Sequence, residues 1–144
     1  MLKTLDPLLS PDLLYVLRAM GHGDELVIVD ANFPAQSAGP RVVRLDAVSA
    51  TAALAAVLSV MPLDTFVDCA SFVMQPVEDA AREEPIFAEF QSVIAGAEGP
   101  QFKLGKIERF AFYARASKAF AIVSTGERRL YGNIILKKGI IRPQ

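Results

Sequence analysis

The pattern of hydrophobic and polar positions predicts four helices. The first follows Ser10-Pro11-Asp12, where a capping serine, a proline at the first helical position and an acid in the first turn predict a helix start. Apolar spacing predicts further helices at about 51–60 and at 85–94, the latter stopped by Gly96. Residues 108–118 have a helical composition and are expected to form the fourth.

Short apolar runs rich in β-branched residues lie between the predicted helices. They predict strands at 26–29, 42–45, 72–77, 119–124 and 133–136. These runs lack a clean alternation of apolar and polar residues, which is typical of strands covered on both faces. Long loops are expected at 31–40 and 95–105. Because helices and strands alternate along the chain, the pattern predicts a layered α/β fold.

Length and composition favour a single domain. The chain has 144 residues, of which 52% are hydrophobic, and it can therefore bury a substantial core. We expect one domain over residues 1–144. Its 15 basic and 16 acidic side chains are spread along the sequence and give a net charge of -1. Charge therefore gives no reason to expect nucleic acid or an anionic membrane as a partner.

Cysteine usage and the uncharged stretches bear on the cellular setting. The single cysteine, Cys69, excludes an internal disulfide framework, and with one histidine it leaves no set of ligands for a structural zinc site. A reducing, cytoplasmic setting fits best. Asp6-Pro7 stands where a signal peptide needs apolar residues, so secretion is not expected. Residues 47–63 are uncharged, but they are rich in alanine and interrupted by Pro62, which favours a buried helix over a membrane span.

The single histidine lies in a polar turn, Gly21-His22-Gly23-Asp24-Glu25, between the first predicted helix and the first predicted strand. Histidine can give or take a proton near neutral pH, and glycines on both sides let the backbone approach a ligand. The same turn also fits a helix C-cap with Gly21 in the capping position and an ordinary surface histidine. His22 is a candidate catalytic residue, and on these residues alone the capping interpretation stays open.

Polar residues also stand at predicted strand ends, where ligands usually bind in α/β sheets. Asp30 closes the first strand, and Thr125-Gly126-Glu127 closes another. Asp30 is either a ligand contact or a turn residue before Phe33-Pro34. His22 precedes the strand that Asp30 closes, so it could lie at the opposite end of that strand. Local sequence does not decide this point.

Two further segments could contact a ligand. Residues 108–116 hold two arginines and three aromatic residues, and the guanidinium of Arg109 suits hydroxyl or carboxylate acceptors. The alternative is an amphipathic helix with solvated arginines. Tyr131-Gly132-Asn133 could likewise bind a ligand or close a hairpin. The sequence has no nucleophile elbow, phosphate-binding glycine loop or dinucleotide fingerprint, so the chemistry expected of a site here is proton transfer.

These segments occur together and in one order along the chain. They are Gly21-His22-Gly23-Asp24-Glu25, Asp30-Ala31-Asn32-Phe33-Pro34-Ala35, Arg109-Phe110-Ala111-Phe112-Tyr113, 118–122, Thr125-Gly126-Glu127 and 131–136. In this register they resemble the D-ribose pyranase/L-fucose mutarotase family, most closely its L-fucose mutarotase branch. The likeness runs over residues 1–139 and is weakest at 62–106. Several ordered motifs are far more specific than any one of them.

The resemblance implies a three-layer α/β subunit with a mixed, largely buried sheet, in a homo-oligomer such as a ring or a decamer. It implies a sugar epimerase that acts at the anomeric carbon of a monosaccharide, with L-fucose favoured, and that needs no cofactor or metal. The family roles make His22 the catalytic proton donor and give substrate contacts to Asp30, Arg109, Tyr131, Gly132 and Asn133. Asn32 and Gln36 stand where some relatives carry histidines, which leaves His22 as the only imidazole.

Mutarotation places a proton on the ring oxygen and removes another from the anomeric hydroxyl, so that the ring opens, the C1–C2 bond rotates and the opposite face of the aldehyde is attacked. We expect His22 to supply the acid and Asp30 to orient it or a substrate hydroxyl. The base would be a carboxylate, Tyr131 or a water. The alternatives are a D-ribose pyranase or a mutarotase of another monosaccharide, a non-catalytic sugar-binding subunit, and a plain oligomerisation domain.

Overall fold

The apolar runs of the sequence form one six-stranded sheet in a computed structural model, which describes residues 1–143. The strands are β1 (Glu25–Val29), β2 (Arg41–Leu45), β3 (Ser71–Met74), β4 (Gly105–Ile107), β5 (Ala121–Thr125) and β6 (Ile134–Lys137). Their order across the sheet is β2-β5-β1-β6-β3-β4. β6 runs antiparallel to both of its neighbours, and the other pairs are parallel. The sheet is therefore mixed.

Within residues 1–143, four α-helices flank the sheet, and three of them begin at a residue whose side chain caps the helix. The helices are α1 (Pro11–Ala19), α2 (Ala50–Leu58), α3 (Pro85–Glu98) and α4 (Arg109–Lys118), and Gln36–Ala38 forms a short 3₁₀ helix. The Ser10 hydroxyl accepts a hydrogen bond from the Leu13 amide at the start of α1. Ser49 and Glu108 do the same for α2 and α4. These side chains satisfy amide groups that have no partner within the helix.

The helices cover both faces of the sheet. Successive residues of β1 point to opposite faces. Leu26 and Ile28 are buried among side chains from α1, α2 and α3, whereas Val27 and Val29 are buried with Phe112 of α4. These four residues of β1 are fully buried. The three-layer α/β fold is therefore confirmed, and burial on both faces explains why the strand sequences do not alternate.

Two parts of the predicted secondary structure were wrong. Gly96 does not stop the third helix, which continues to Glu98 and ends at Gly99, a residue with a φ of 107°. Such a backbone conformation favours glycine, whereas Gly96 sits inside the helix at a tolerable cost of about 1 kcal/mol. The loop predicted at 95–105 gives way to β4 at Gly105, because pairing with β3 makes a strand of three half-buried residues that have no pattern of their own.

No helix within residues 1–143 is long and apolar enough to cross a membrane.

Candidate active site

One edge of the sheet gathers most of the predicted site residues. The parallel strands β1 and β3 end there, and the antiparallel β6 begins there. The edge carries an open cleft of ≈ 240 Å³, which is large enough for one sugar ring. We call it the sheet-edge cleft, and it is lined by Asp30, Asn32, Phe33, Met74, Val77, Arg109, Tyr113, Leu130, Tyr131 and Asn133.

Asp30 and Asn133 form a reciprocal pair at the floor of the cleft. The Asp30 amide donates to Asn133 Oδ1 at 2.9 Å, and Asn133 Nδ2 donates to Asp30 Oδ2 at 2.9 Å. The other carboxylate oxygen of Asp30 accepts from the Asn32 amide. Both residues are buried, with 4% of Asp30 and 5% of Asn133 exposed. The pair forms because β6 starts beside the end of β1. The two residues are 103 positions apart in the sequence, so no local pattern connects them.

Burial and hydrogen bonding act in opposite directions on the Asp30 carboxyl group. Burial raises its pKa above the ordinary value, while the bonds from the Asn32 amide and the Asn133 side chain lower it, and burial is the larger effect. A carboxylate in this condition accepts a proton more readily than an exposed aspartate. It therefore suits either a bond to a sugar hydroxyl or a share in proton transfer.

Tyr131 and Gly132 bring the backbone close to the cleft. Tyr131 has a φ of 59°, and its hydroxyl accepts from the Val77 amide at 3.0 Å, so that the phenolic proton stays free to donate to a ligand. A Cβ at Gly132 would lie 2.7 Å from Cγ of Glu127 and 3.3 Å from Cβ of Asp30. Only glycine fits between these two side chains.

The opposite wall of the cleft is cationic and aromatic. Arg109 begins α4, and its guanidinium lies 4.6 Å from the ring centroid of Phe110. No carboxylate within residues 1–143 forms an ion pair with it, so its donors are available to a ligand. Phe33 and Tyr113 pack with ring centroids 5.5 Å apart. These groups suit the hydroxyls and the apolar face of a sugar ring.

His22 lies at the other edge of the sheet, before β1 begins. Its Nε2 is 3.1 Å from Oδ1 of Asp64, a buried carboxylate, and its ring packs on Phe66 with centroids 5.3 Å apart. The His22 side chain is 45% exposed. The turn is held by the Gly21 amide, which donates to the Asp24 carboxylate. The histidine is accessible from solvent.

The structure thus divides the predicted site into two parts. The length of β1 alone separates them by about 13 Å at roughly 3.3 Å per residue. The possibility that His22 lies at the opposite end of the strand from Asp30 is confirmed. Within one chain Asp30 does not orient His22, because Asp64 holds that position and Asp30 pairs with Asn133.

Sequence reasoning missed contributors to both sites. Asp64 precedes β3 and is 42 residues from its partner His22, so no local pattern connects them. Met74 and Val77 line the cleft after β3. The rule that ligands bind beyond strand ends would have found these two, because β3 ends at the same edge as β1.

Glu127 supports the cleft from below. Its carboxylate accepts from the Arg129 side chain, from the Arg129 and Arg128 amides, and from the Ala50 amide at the start of α2. The bonds from the Arg129 side chain are the largest cause of a pKa lowered to about 2. Its carbonyl oxygen accepts from the Ala31 amide, next to Asp30. The Thr125-Gly126-Glu127 segment is therefore structural support for the site.

Among the residues that the structure describes, no three His, Cys, Asp or Glu side chains come together in a group that could hold a metal ion.

Comparison with known proteins decides the family. Residues 3–141 match the RbsD / FucU transport protein family. The chain belongs to this family. The family resemblance carried by the sequence motifs is therefore confirmed, and it spans nearly the whole chain.

Relatives within the family are similar over their full length. A human (Homo sapiens) protein named fucose mutarotase is 48% identical over 146 residues, which cover 97% of this chain and 94% of that protein. The crystal structure of the fucose mutarotase from Streptococcus pneumoniae in complex with L-fucose has a TM-score of 0.89 and 40% identity, covering 98% of this chain and 100% of that one. Bacillus subtilis RbsD complexed with D-ribose has a TM-score of 0.74 at 21% identity, a likeness of fold.

Proposed function

We propose that this chain is an L-fucose mutarotase, a cofactor-independent isomerase that interconverts the α and β anomers of L-fucopyranose. The observation that carries the proposal is the sheet-edge cleft, which has room for one sugar ring. It is lined by a buried carboxylate, an amide and a guanidinium that forms no ion pair within residues 1–143. Relatives named fucose mutarotase match the chain along nearly its whole length. The reaction is inferred from the family, and the side chains of the cleft can bind the substrate of that reaction.

The cleft groups suit the hydroxyl pattern of a sugar. Asp30 accepts hydrogen bonds, Arg109 and the Tyr131 hydroxyl donate them, and the Asn133 amide does both. A site built from such groups penalises a sugar that presents its hydroxyls wrongly, because buried polar groups are then left unpaired. The aromatic and aliphatic side chains of the cleft face the apolar parts of the ring.

The reaction needs two proton transfers. An acid protonates the ring oxygen while a base takes the proton of the anomeric hydroxyl, the bond between C1 and the ring oxygen breaks, and an open-chain aldehyde forms. After rotation about C1–C2, the hydroxyl attacks the other face of the aldehyde and both protons return. His22 is the acid, and the base is Asp30, Tyr131 or a water. General acid–base catalysis contributes about 10²–10⁴-fold, enough for a reaction that already proceeds in water.

A site that contains both His22 and the cleft requires a second copy of the chain. Within one subunit the two groups lie at opposite edges of the sheet, so His22 of one copy must reach the cleft of another. The two edges are different surfaces, and a contact between them is heterologous; its repetition closes a ring when the rotation between copies permits. We therefore propose a homo-oligomer, a ring or a decamer, with sites shared between neighbours.

Exposed apolar side chains at both edges support this arrangement. Phe66, which packs on His22, is 60% exposed. At the cleft, Val77 and Leu130 are 56% and 62% exposed. Bringing the edges together would bury these side chains and exclude water from the reacting sugar. We place the enzyme in the cytoplasm, where the free thiol of Cys69 would stay reduced.

The proposal is tested by magnetisation-transfer NMR on L-fucose at equilibrium, with protein added in catalytic amounts. We expect faster α-to-β exchange with the wild-type protein, and a loss of about 10²-fold or more of the acceleration in His22→Gln. Lys118→Gln is the matched control, because it places the same residue at an exposed position at the far end of α4 from the cleft.

Other sugars discriminate the alternatives. D-ribose and D-galactose are measured beside L-fucose, and conversion between D-ribopyranose and D-ribofuranose would indicate the pyranase activity. Saturable binding without acceleration for all three sugars would overturn the proposal in favour of a sugar-binding subunit. Unchanged exchange in His22→Gln would remove His22 from the mechanism.

A further inference from the structure

The strongest unassigned feature is the buried carboxylate behind His22. Asp64 has a side chain that is 4% exposed, and its Oδ1 lies 3.1 Å from Nε2 of His22. The same oxygen accepts from the Phe66 amide at 3.0 Å. Phe66 also packs its ring against the imidazole. One short segment therefore contacts both the edge and the face of the histidine ring.

The backbone fixes both members of this pair to the end of β6. The Asp64 amide donates to the Lys137 carbonyl at 3.0 Å, and the Gly23 amide donates to the Lys138 carbonyl at 2.8 Å. The Lys138 amide in turn donates to the Asp24 carbonyl at 2.9 Å. Because one segment is tied to Lys137, the last residue of β6, and the other to Lys138, which follows it, the distance between His22 and Asp64 is set by the end of this strand rather than by surface loops.

The Asp64 carboxylate is an acceptor in this position. Its pKa is held below the ordinary value, chiefly by the hydrogen bond from the Phe66 amide and further by His22 and by the charge of Lys137. Asp24 uses its carboxylate on the Gly21 amide, and the Arg142 guanidinium lies over the Phe66 ring. An ionised carboxylate can only accept hydrogen bonds, so the ring nitrogen that faces it must carry a proton.

We propose that Asp64 is the positioning residue of His22, and that it keeps the proton on Nε2 so that Nδ1 is the atom that exchanges protons with the sugar. This inference rests on the proposed mutarotase activity. It replaces the expectation that Asp30 orients the histidine. Asp64 acts through the histidine, by fixing the ring and by stabilising the imidazolium with its charge.

The assignment gives the proton that passes between His22 and the ring oxygen a defined path, while the base takes the proton of the anomeric hydroxyl and returns it on closure. In the imidazolium, Nδ1–H donates its proton to the ring oxygen as the bond from that oxygen to C1 breaks. The imidazole of His22 is then neutral, with its remaining proton on Nε2 and hydrogen-bonded to Asp64. On closure, Nδ1 takes the same proton back from the attacking hydroxyl. Only one nitrogen changes its protonation state, so the imidazole need not turn over during the cycle.

The first test uses the wild-type protein labelled with ¹⁵N-histidine. His22 is the only histidine in the chain, so every imidazole signal belongs to it. With the ring neutral, we expect Nε2 to carry the proton and that proton to exchange slowly enough with water to give its own signal. A neutral ring protonated on Nδ1, or an Nε2 proton that exchanges as fast as that of free histidine, would overturn the proposal without any variant being made.

The second test compares Asp64→Asn with Asp68→Asn. Asp68 is an exposed aspartate of the same segment, so its variant removes the same charge without touching His22. We expect Asp64→Asn to lose the slowly exchanging Nε2 proton signal and to slow the catalysed α-to-β exchange of L-fucose about tenfold or more, because an amide accepts a weaker hydrogen bond and carries no charge. Asp68→Asn should match the wild type in both measurements.

The two readouts separate this inference from the proposed function. Asp64 could instead only support the loop through the Phe66 amide. In that case Asp64→Asn lowers the melting temperature but leaves the histidine spectrum and the rate per folded molecule unchanged. The inference then fails, while the proposed mutarotase activity stands. If the wild type does not accelerate exchange of any sugar, the proposed function fails, and the role of Asp64 in its catalysis fails with it even where the spectrum confirms the pairing. Should Asp64→Asn not fold, the wild-type spectrum still decides the proton position.

Discussion

Single residues at the floor of the cleft are buried and closely packed, and burial affects their ionisation. Asp30 is the clearest case, since burial raises its pKa while hydrogen bonds from the Asn32 amide and the Asn133 side chain keep it in place. The ionised form is therefore disfavoured in the folded chain, so Asp30 costs stability as the pH rises through its folded pKa. Such a residue is kept for its chemistry rather than for its contribution to the fold.

Gly132 carries a prediction at this scale. In Gly132→Ala, the new methyl group would collide with Glu127 and press on Asp30, so we expect a loss of about 1–3 kcal/mol in unfolding free energy and a raised KM for L-fucose. Chemical denaturation and exchange kinetics measure the two effects. Gly96→Ala is the control: it adds the same methyl to a helical glycine with open space around it, and should stabilise by about 0.5–1 kcal/mol. Equal stability of the two variants would refute the packing argument.

At the scale of elements, the connection between β5 and β6 joins several parts of the fold. Glu127 binds the first amide of α2, and Arg129 bridges from Glu127 to Glu89 of α3. The same connection positions Tyr131 and Gly132 in the cleft. An anion at the start of α2 is also favoured by the helix dipole. The hydrogen bonds of the Glu127 carboxylate therefore stabilise the fold and also hold the connection that positions the cleft residues.

The lowered pKa of Glu127, about 2, makes its contribution dependent on pH. Its folded pKa is below the unfolded value, so the stabilisation is present above the unfolded pKa and is lost as the pH falls through the folded one. We expect Glu127→Gln to lose about 2 kcal/mol at neutral pH, a figure reduced because Arg129 is partly exposed. Denaturation curves should show the gap to wild type narrowing from about pH 5 to about pH 3. A gap that stays constant over this range would exclude the ion pair as its cause.

At the scale of the whole molecule, the sheet places the two halves of the proposed chemistry at opposite edges. A monomer would then be inactive, and each site would take His22 from one copy and Asp30 from its neighbour. The arrangement makes activity depend on association. It also gives water-exposed apolar side chains at both edges a function in assembly.

Mixed oligomers test this directly. His22→Gln and Asp30→Asn should each be nearly inactive, but oligomers co-assembled from equal amounts of the two should regain about one quarter of the wild-type sites, because some neighbours then pair an intact histidine with an intact cleft. Mixtures of His22→Gln with His22→Ala supply no intact histidine and should stay inactive. Failure of the first mixture to recover, with mixed assembly verified by mass spectrometry, would mean that the site is not shared.

The sequence by itself determined the local elements and the chemical types at the site. Ser10-Pro11-Asp12 places the start of α1 because capping and the fixed φ of proline are local effects. The apolar run before Asp30 becomes β1 with every residue but its first fully buried, as the missing alternation indicated. Motifs in one register were enough to indicate the family, and with it the cleft residues Asp30, Arg109 and Asn133.

Tertiary structure decided what depends on pairing between distant segments. β4 exists only because β3 offers it a neighbour, and the antiparallel course of β6 puts Asn133 beside Asp30 while its far end fixes Asp64 beside His22. No local pattern encodes these pairings, because each is selected by burial and hydrogen bonding summed over the whole sheet. The sequence motifs assigned His22 and Asp30 to one site, but they carry no information on the distance between the two residues. The length of β1 keeps them apart within one chain.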